Sequence, residues 1–144
     1  MVKTLFVLAG GASSRFGSPK SRYELDGKPL ASWVAASAQE AGLKPVLLVR
    51  DPGLADLGWP ILKESDSERF YPLRAMAEAL STLSDGESAL FCPCDMPFVR
   101  VESFQAIAKE SAPCVAWDGV RLHPLFCQLS TAQAGELGAW VQRE

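Results

Sequence analysis

Gly10 and Gly11 are followed by two hydroxyls, Ser13 and Ser14, and by two cations, Arg15 and Lys20. Glycines without a Cβ let backbone N–H groups come close to a ligand. Arg15 adds a planar fork of donors and Lys20 a mobile point charge. Phosphate is the group that such amides and cations hold best. The spacing is neither that of the Walker loop, which needs Lys-Ser or Lys-Thr after its second glycine, nor the G-x-G-x-x-G of dinucleotide folds. A tight turn with solvated cations is the competing reading. Two cations placed after the glycines favour a site for a nucleoside triphosphate.

A second candidate lies far along the chain. The apolar run Ser88–Cys92 is followed by Pro93-Cys94-Asp95-Met96-Pro97. A carboxylate at a strand end sits where open α/β sheets bind their ligands. As a hard oxygen donor it suits Mg²⁺, which one or two carboxylates hold together with substrate phosphates. The alternative for Asp95 is a helix cap or a loop residue. Cys92 and Cys94 fall on one face of the strand. Joined with His123 they make a poor zinc set, because the spacing is short and a fourth ligand is missing. They read as core thiols. The single histidine, His123, precedes Pro124, and either a substrate contact or a plain strand start accounts for it.

These residues need a scaffold. Thr4–Leu8 reads as a buried strand opening directly into the glycine turn. Asp26-Gly27 reads as a turn, and Leu30, Trp33, Val34, Ser37, Ala38 and Ala41 recur at helical spacing up to Gly42. Pro45–Val49 is a second apolar strand and Ile61-Leu62 a short one. Pro72 suits a first helical turn, with Leu73, Met76, Ala77, Leu80 and Leu83 forming a stripe that Asp85-Gly86 should end. Phe104, Ile107 and Ala108 mark another helix. Residues Pro113–Trp117 and Pro124–Leu129 read as a hairpin around Asp118-Gly119, and Leu137, Trp140 and Val141 suggest a last helix. Alternating strands and helices imply an α/β fold in three layers: a mostly parallel twisted sheet with helices on both faces, Rossmann-like.

At 144 residues the chain suits one domain. A net charge of −3 argues against broad nucleic-acid binding. No apolar run approaches the ~20 residues that span a bilayer, and no signal-peptide layout is present. The four cysteines, without a C-x-x-C pair, read as reduced thiols of a cytoplasmic protein.

Three segments carry a resemblance: Leu8-Ala9-Gly10-Gly11 with Arg15, Gly17 and Lys20; Phe91-Cys92-Pro93-Cys94-Asp95-Met96-Pro97; and His123-Pro124-Leu125. Together they resemble the MobA-type molybdenum cofactor guanylyltransferases, nucleotidyltransferases of the nucleotide-diphospho-sugar transferase-like fold. The resemblance implies an enzyme that joins GMP from GTP to molybdopterin and releases pyrophosphate. It implies that Leu8, Ala9, Gly10, Gly11 and Ser13 approach the nucleotide, that Arg15 and Lys20 hold its phosphates, and that Asp95 binds Mg²⁺. Glu64, with Asp66 nearby, stands where the family has an aspartate beside the nucleotide, and the family's asparagine falls near Val49. The family's Gly-Pro-Leu-x-Gly appears as Tyr71-Pro72-Leu73-Arg74-Ala75, which is expected to crowd a nucleotide-facing loop. The family continues through a segment with a metal-side asparagine, so residues 1–144 are expected to be a single nucleotidyltransferase domain lacking that C-terminal segment. Expected partners are GTP and molybdopterin, with molybdoenzymes or cofactor-synthesis proteins beyond them and neither nucleic acid nor membrane. The alternatives are a CTP-dependent molybdopterin cytidylyltransferase or related nucleotidyltransferase, whose loops more often read Leu-Ala-Ala-Gly, and a non-catalytic nucleotide-binding or regulatory homologue.

Overall fold

Five residues at the start of the chain, Thr4–Leu8 (β1), are apolar almost throughout, and the last four are buried. A strand can be apolar on both faces only if both are covered, and here they are. The computed structural model describes residues 2–10, 23–50, 52–65 and 72–143. In it β1 lies between two parallel partners, Lys44–Val49 (β4) and Ser88–Pro93 (β6). Ile61–Lys63 (β5) adds to the outer side of β4, also parallel. On the other side the long strand Leu122–Ser130 (β8) runs antiparallel to β6 and pairs with Cys114–Trp117 (β7). The sheet therefore has six strands in the order β5-β4-β1-β6-β8-β7, parallel in one part and closed by an antiparallel hairpin. A separate small hairpin joins Glu24–Leu25 (β2) to Lys28–Pro29 (β3). Asp26 (φ 51°) and Gly27 (φ 75°) make its two-residue turn, whose left-handed backbone matches the strand twist.

Side chains alternate across the sheet, and each face carries its own helices. Leu5, Val7, Leu47, Val49, Leu90 and Cys92 pack in one cluster with Ala31, Val34, Ala35 and Ala38 of the helix Leu30–Glu40 (α1) and with Phe104 of Val101–Lys109 (α3). Phe6, Leu8, Leu48, Ala89, Phe91 and Cys127 pack in the other with Ala75, Met76, Ala79 and Leu80 of Pro72–Leu80 (α2), joined by Leu137 of Ala134–Arg143 (α4). This is the three-layer architecture expected from the alternating pattern. One polar side chain is buried for a structural reason. Gln128 donates to the carbonyls of Ile107 (2.8 Å) and Glu110 (2.9 Å) at the C-terminus of α3, the first of which also accepts from the Glu110 N–H (3.2 Å). No helix among the described residues is long and apolar enough to cross a membrane.

Local boundaries differ from expectation at three places. α2 ends at Leu80, before Asp85-Gly86; the hydroxyls of Ser81 and Thr82 bond back to carbonyls of its last turn, a competing local bond that favours termination. Residues Pro52–Leu57, where no helical turn was expected, form a 3₁₀ segment. Ala75, expected in a loop against the nucleotide, is 2% exposed on the sheet-facing side of α2. A methyl group there fills the core beside Phe6 and Leu48 rather than crowding a ligand.

Candidate active site at the C-terminal edge of the parallel strands

Parallel strands end on the same side, so β1, β4, β5 and β6 deliver their following residues to one edge. Three backbone bonds extend the ladder past the strand ends. The Ala9 N–H donates to Leu48 O (2.9 Å), the Glu64 N–H to Val49 O (2.8 Å) and the Cys94 N–H to Leu8 O (3.2 Å). Leu8, Ala9, Gly10, Glu64 and Asp95 are thereby brought to this edge from three segments far apart in sequence. Gly11, Ser13, Arg15 and Lys20 lie outside the described residues, as do Asp66 and Tyr71.

Gly10 and Glu64 are in close apposition. A Cβ built on Gly10 would stand 2.7 Å from Oε2 of Glu64 and 3.0 Å from Cγ of Arg50. Only glycine fits there without displacing a neighbour. Glu64 is 9% exposed. Its Oε1 lies 3.8 Å from Nε of Arg50, and its Oε2 is buried with no hydrogen-bond partner among the described residues. Burial pushes the Glu64 carboxyl above its usual range, Arg50 and Arg74 oppose the rise, and Glu78 adds to it. A buried carboxylate oxygen without a donor is costly, so a ligand bringing N–H groups to it gains what the protein leaves unmade.

The segment after Glu64 is anchored to α2. The Ser65 N–H donates to Glu78 (2.9 Å), the Ser65 hydroxyl also donates to Glu78, and Arg74 donates to the Ser65 hydroxyl (3.1 Å) while lying 3.6 Å from Glu78. Arg50, Arg74 and Glu78 were not singled out from the sequence. The available signal for Arg50 was its place directly after an apolar strand, where the resemblance located a polar contact.

Asp95 is exposed beyond the end of β6. The strand beneath it is dry: Cys92 is fully buried and Cys94 is 8% exposed. Burial drives the Cys92 thiol far above its normal range, and that of Cys127 up to about 12. These are neutral core thiols, and all four cysteines are free. His123 sits on the β7–β8 hairpin, where Nε2 lies 2.9 Å from Oδ2 of Asp118. Asp118 also accepts from the N–H groups of Val120 (2.8 Å) and Arg121 (2.9 Å). Its carboxyl is held well below the usual range by backbone bonding at Arg121 first and by His123 next. His123 is the second residue of β8, at a strand start, and its ring is tied to the hairpin turn through Asp118.

A groove of about 360 Å³ lies between the β2–β3 turn, α1 and residues 97–102. Trp33 forms part of its wall; the indole donates to Leu25 O (2.8 Å) and carries the Lys28 ammonium 4.6 Å from its ring centroid. These contacts fasten the small hairpin to α1.

Residues 5–144 match the MobA-like NTP transferase domain. A relative from Bacillus licheniformis is 35% identical over 114 residues, which cover 74% of this chain and 55% of that protein. A molybdenum cofactor guanylyltransferase of Sinorhizobium fredii is 31% identical over 150 aligned positions, 96% of this chain and 68% of its own length. The chain thus spans little more than half of the first relative and about two thirds of the second. Among solved structures, a protein of Aquifex aeolicus superposes with a TM-score of 0.81 at 24% identity, over 99% of this chain and 77% of that one; at that identity the likeness establishes the fold.

Proposed function

The chain belongs to the MobA-like NTP transferase family, and from that premise we propose that it transfers GMP from GTP to molybdopterin with release of pyrophosphate. In this reaction an oxygen of the acceptor's terminal phosphate attacks the α-phosphorus of GTP. The bond from that phosphorus to the α,β-bridging oxygen breaks, and pyrophosphate leaves with the electron pair. The acceptor phosphate is already ionised, so no strong general base is required. Catalysis of this kind rests on positioning and charge neutralisation.

The observation that carries the guanine assignment is the Oε2 of Glu64, buried against Gly10 with no hydrogen-bond partner among the described residues. Guanine presents N1–H and a 2-amino group side by side, whereas adenine and cytosine each present one amino donor on the corresponding edge. The backbone at Leu8, Ala9 and Gly10 approaches the nucleotide, and Gly11 and Ser13 are assigned to the same site. Arg15 and Lys20 hold the β- and γ-phosphates and stabilise the departing pyrophosphate. Asp95 offers one exposed hard-oxygen donor at the edge, and no cluster of three or more metal-binding side chains occurs among the described residues. One carboxylate completed by substrate phosphates is the pattern that suits Mg²⁺. When bound, the ion neutralises charge on the transferring phosphate. The free thiols fit the reducing cytoplasm, the compartment this reading assigns.

The test is ligand-induced stabilisation. With Mg²⁺, GTP should raise the thermal midpoint more than CTP or ATP at equal concentration. A ligand selective for the native state contributes ~2.7 kcal/mol at a hundredfold excess over its Kd. Equal shifts with all three would overturn the guanine assignment while leaving the triphosphate site standing.

Gly10→Ala tests the same contact. The obstructed atom is the end of a flexible side chain, so stability should fall by only about 1 kcal/mol, the low end for overpacking. Displacing Glu64 should cost about tenfold in GTP affinity, the scale of one charge-assisted hydrogen bond. Calorimetric titration of both proteins checks this; unchanged affinity would mean that Glu64 does not meet the base.

A further inference from the structure

We infer that Arg50 is a positioning residue for base recognition: its guanidinium engages Oε1 of Glu64 and leaves Oε2 as the oxygen that reads the 2-amino group of guanine. This rests on the reading above and assigns a residue to it. Arg50 follows β4 directly, and its Nε lies 3.8 Å from Oε1. Its Cγ also borders the space that a Gly10 side chain would fill, at 3.0 Å. Arg50 therefore forms part of the wall that directs the carboxylate as well as its counter-charge. The two oxygens of Glu64 differ accordingly, one facing a cation and the other buried without a donor among the described residues.

A positive charge here has a chemical purpose. Glu64 can accept two guanine donors well only as the carboxylate, and burial works against that form. Among the described residues the charged groups acting on it are Arg50 at the end of β4 and Arg74 and Glu78 on α2. Arg74 lies 3.6 Å from Glu78 and donates to Ser65, so its charge is largely shared within that network. Of these two cations, Arg50 acts the more strongly on the carboxylate. Gly10, the third neighbour, carries no charge.

The sign of the pH effect follows. Glu64 holds its proton to a higher pH than the ordinary value of 4.5. Acidification should therefore erase guanine selectivity at a pH above that value. Removing the Arg50 charge should move the loss to still higher pH.

The experiment compares binding of GTP and ITP, which differ only in the 2-amino group, between pH 5 and 8. Their triphosphates are identical, so phosphate protonation cancels in the ratio. The unaltered protein should prefer GTP by about tenfold at pH 8, with the preference falling as the pH drops. Arg50→Gln should lose the preference at higher pH, and Arg50→Lys should restore the original profile. Unliganded circular dichroism confirms that the variants are folded. The unaltered protein gives a reading of its own if a variant is not: a preference that does not change with pH overturns the inference. So does a profile that Arg50→Gln leaves in place or that Arg50→Lys fails to restore. If the unaltered protein shows no preference for GTP at pH 8, the guanine reading itself falls and the role of Arg50 falls with it. If it is selective and the variants match it, only the role of Arg50 is lost.

Discussion

Asp95→Asn should lower turnover by about 10²–10³-fold, the usual cost of removing one group that stabilises transition-state charge. Asparagine keeps the size and one oxygen of the side chain but loses its negative charge. Asp95 is exposed beyond the end of β6 and contributes nothing to either core cluster. The thermal midpoint should accordingly stay within a degree or two of the original, following the ~0.5 kcal/mol expected of a surface change. GTP affinity should fall less than the rate, because in the proposed reading Arg15 and Lys20 hold the triphosphate in the ground state. Pyrophosphate release measured with GTP and molybdopterin across a Mg²⁺ titration separates the two. Full activity of the variant at saturating Mg²⁺ would remove Asp95 from the metal site, and a collapse of the midpoint would reassign it to structure.

Phe91→Ala should destabilise the fold by about 3–5 kcal/mol, as large-to-small changes of a buried aromatic do. Phe91 is fully buried at the middle of the sheet, paired with Phe6 on β1 and Cys127 on β8. Its ring stacks on Phe6 with centroids 5.4 Å apart. Domains of this size are stable by roughly 5–15 kcal/mol, so the loss is a large share of the total. Urea unfolding with an unchanged m-value measures it directly. A loss below about 1 kcal/mol would mean that the two core clusters close around the vacated space. Phe91 lies four positions before Asp95, which follows the end of the same strand, so GTP protection should weaken in parallel with the midpoint.

The order of strands and helices was legible because apolar periodicity is a local property of the chain. The run Thr4–Leu8 is apolar on both faces, and only a central strand needs that. Asp26-Gly27 marks a hairpin because few residues accept two successive positive φ angles. Asp95 could be placed at a strand end because Pro93 and Pro97 flank it after an apolar run. The extent of α2 was harder to read. Its stripe continues to Leu83, which still packs on the core after the helix has ended, so apolar spacing overstates the helix. Ala75 was misplaced for a related reason: a short alignment shows which residue differs, but not whether its side chain points to ligand or core.

By itself, the sequence determined the α/β class, the strand that opens into the glycine loop and the strand that carries Asp95, since each depends on residues adjacent along the chain. Tertiary structure alone decided that Gly10, Arg50 and Glu64 meet. They follow three different strands, and they become neighbours only because β1, β4 and β5 lie side by side in parallel and end at one edge. Strand order is chosen by which apolar faces can be buried together, a property of the whole sheet and its two helical layers. The same choice leaves one oxygen of Glu64 beside a cation and the other, among the described residues, without a donor.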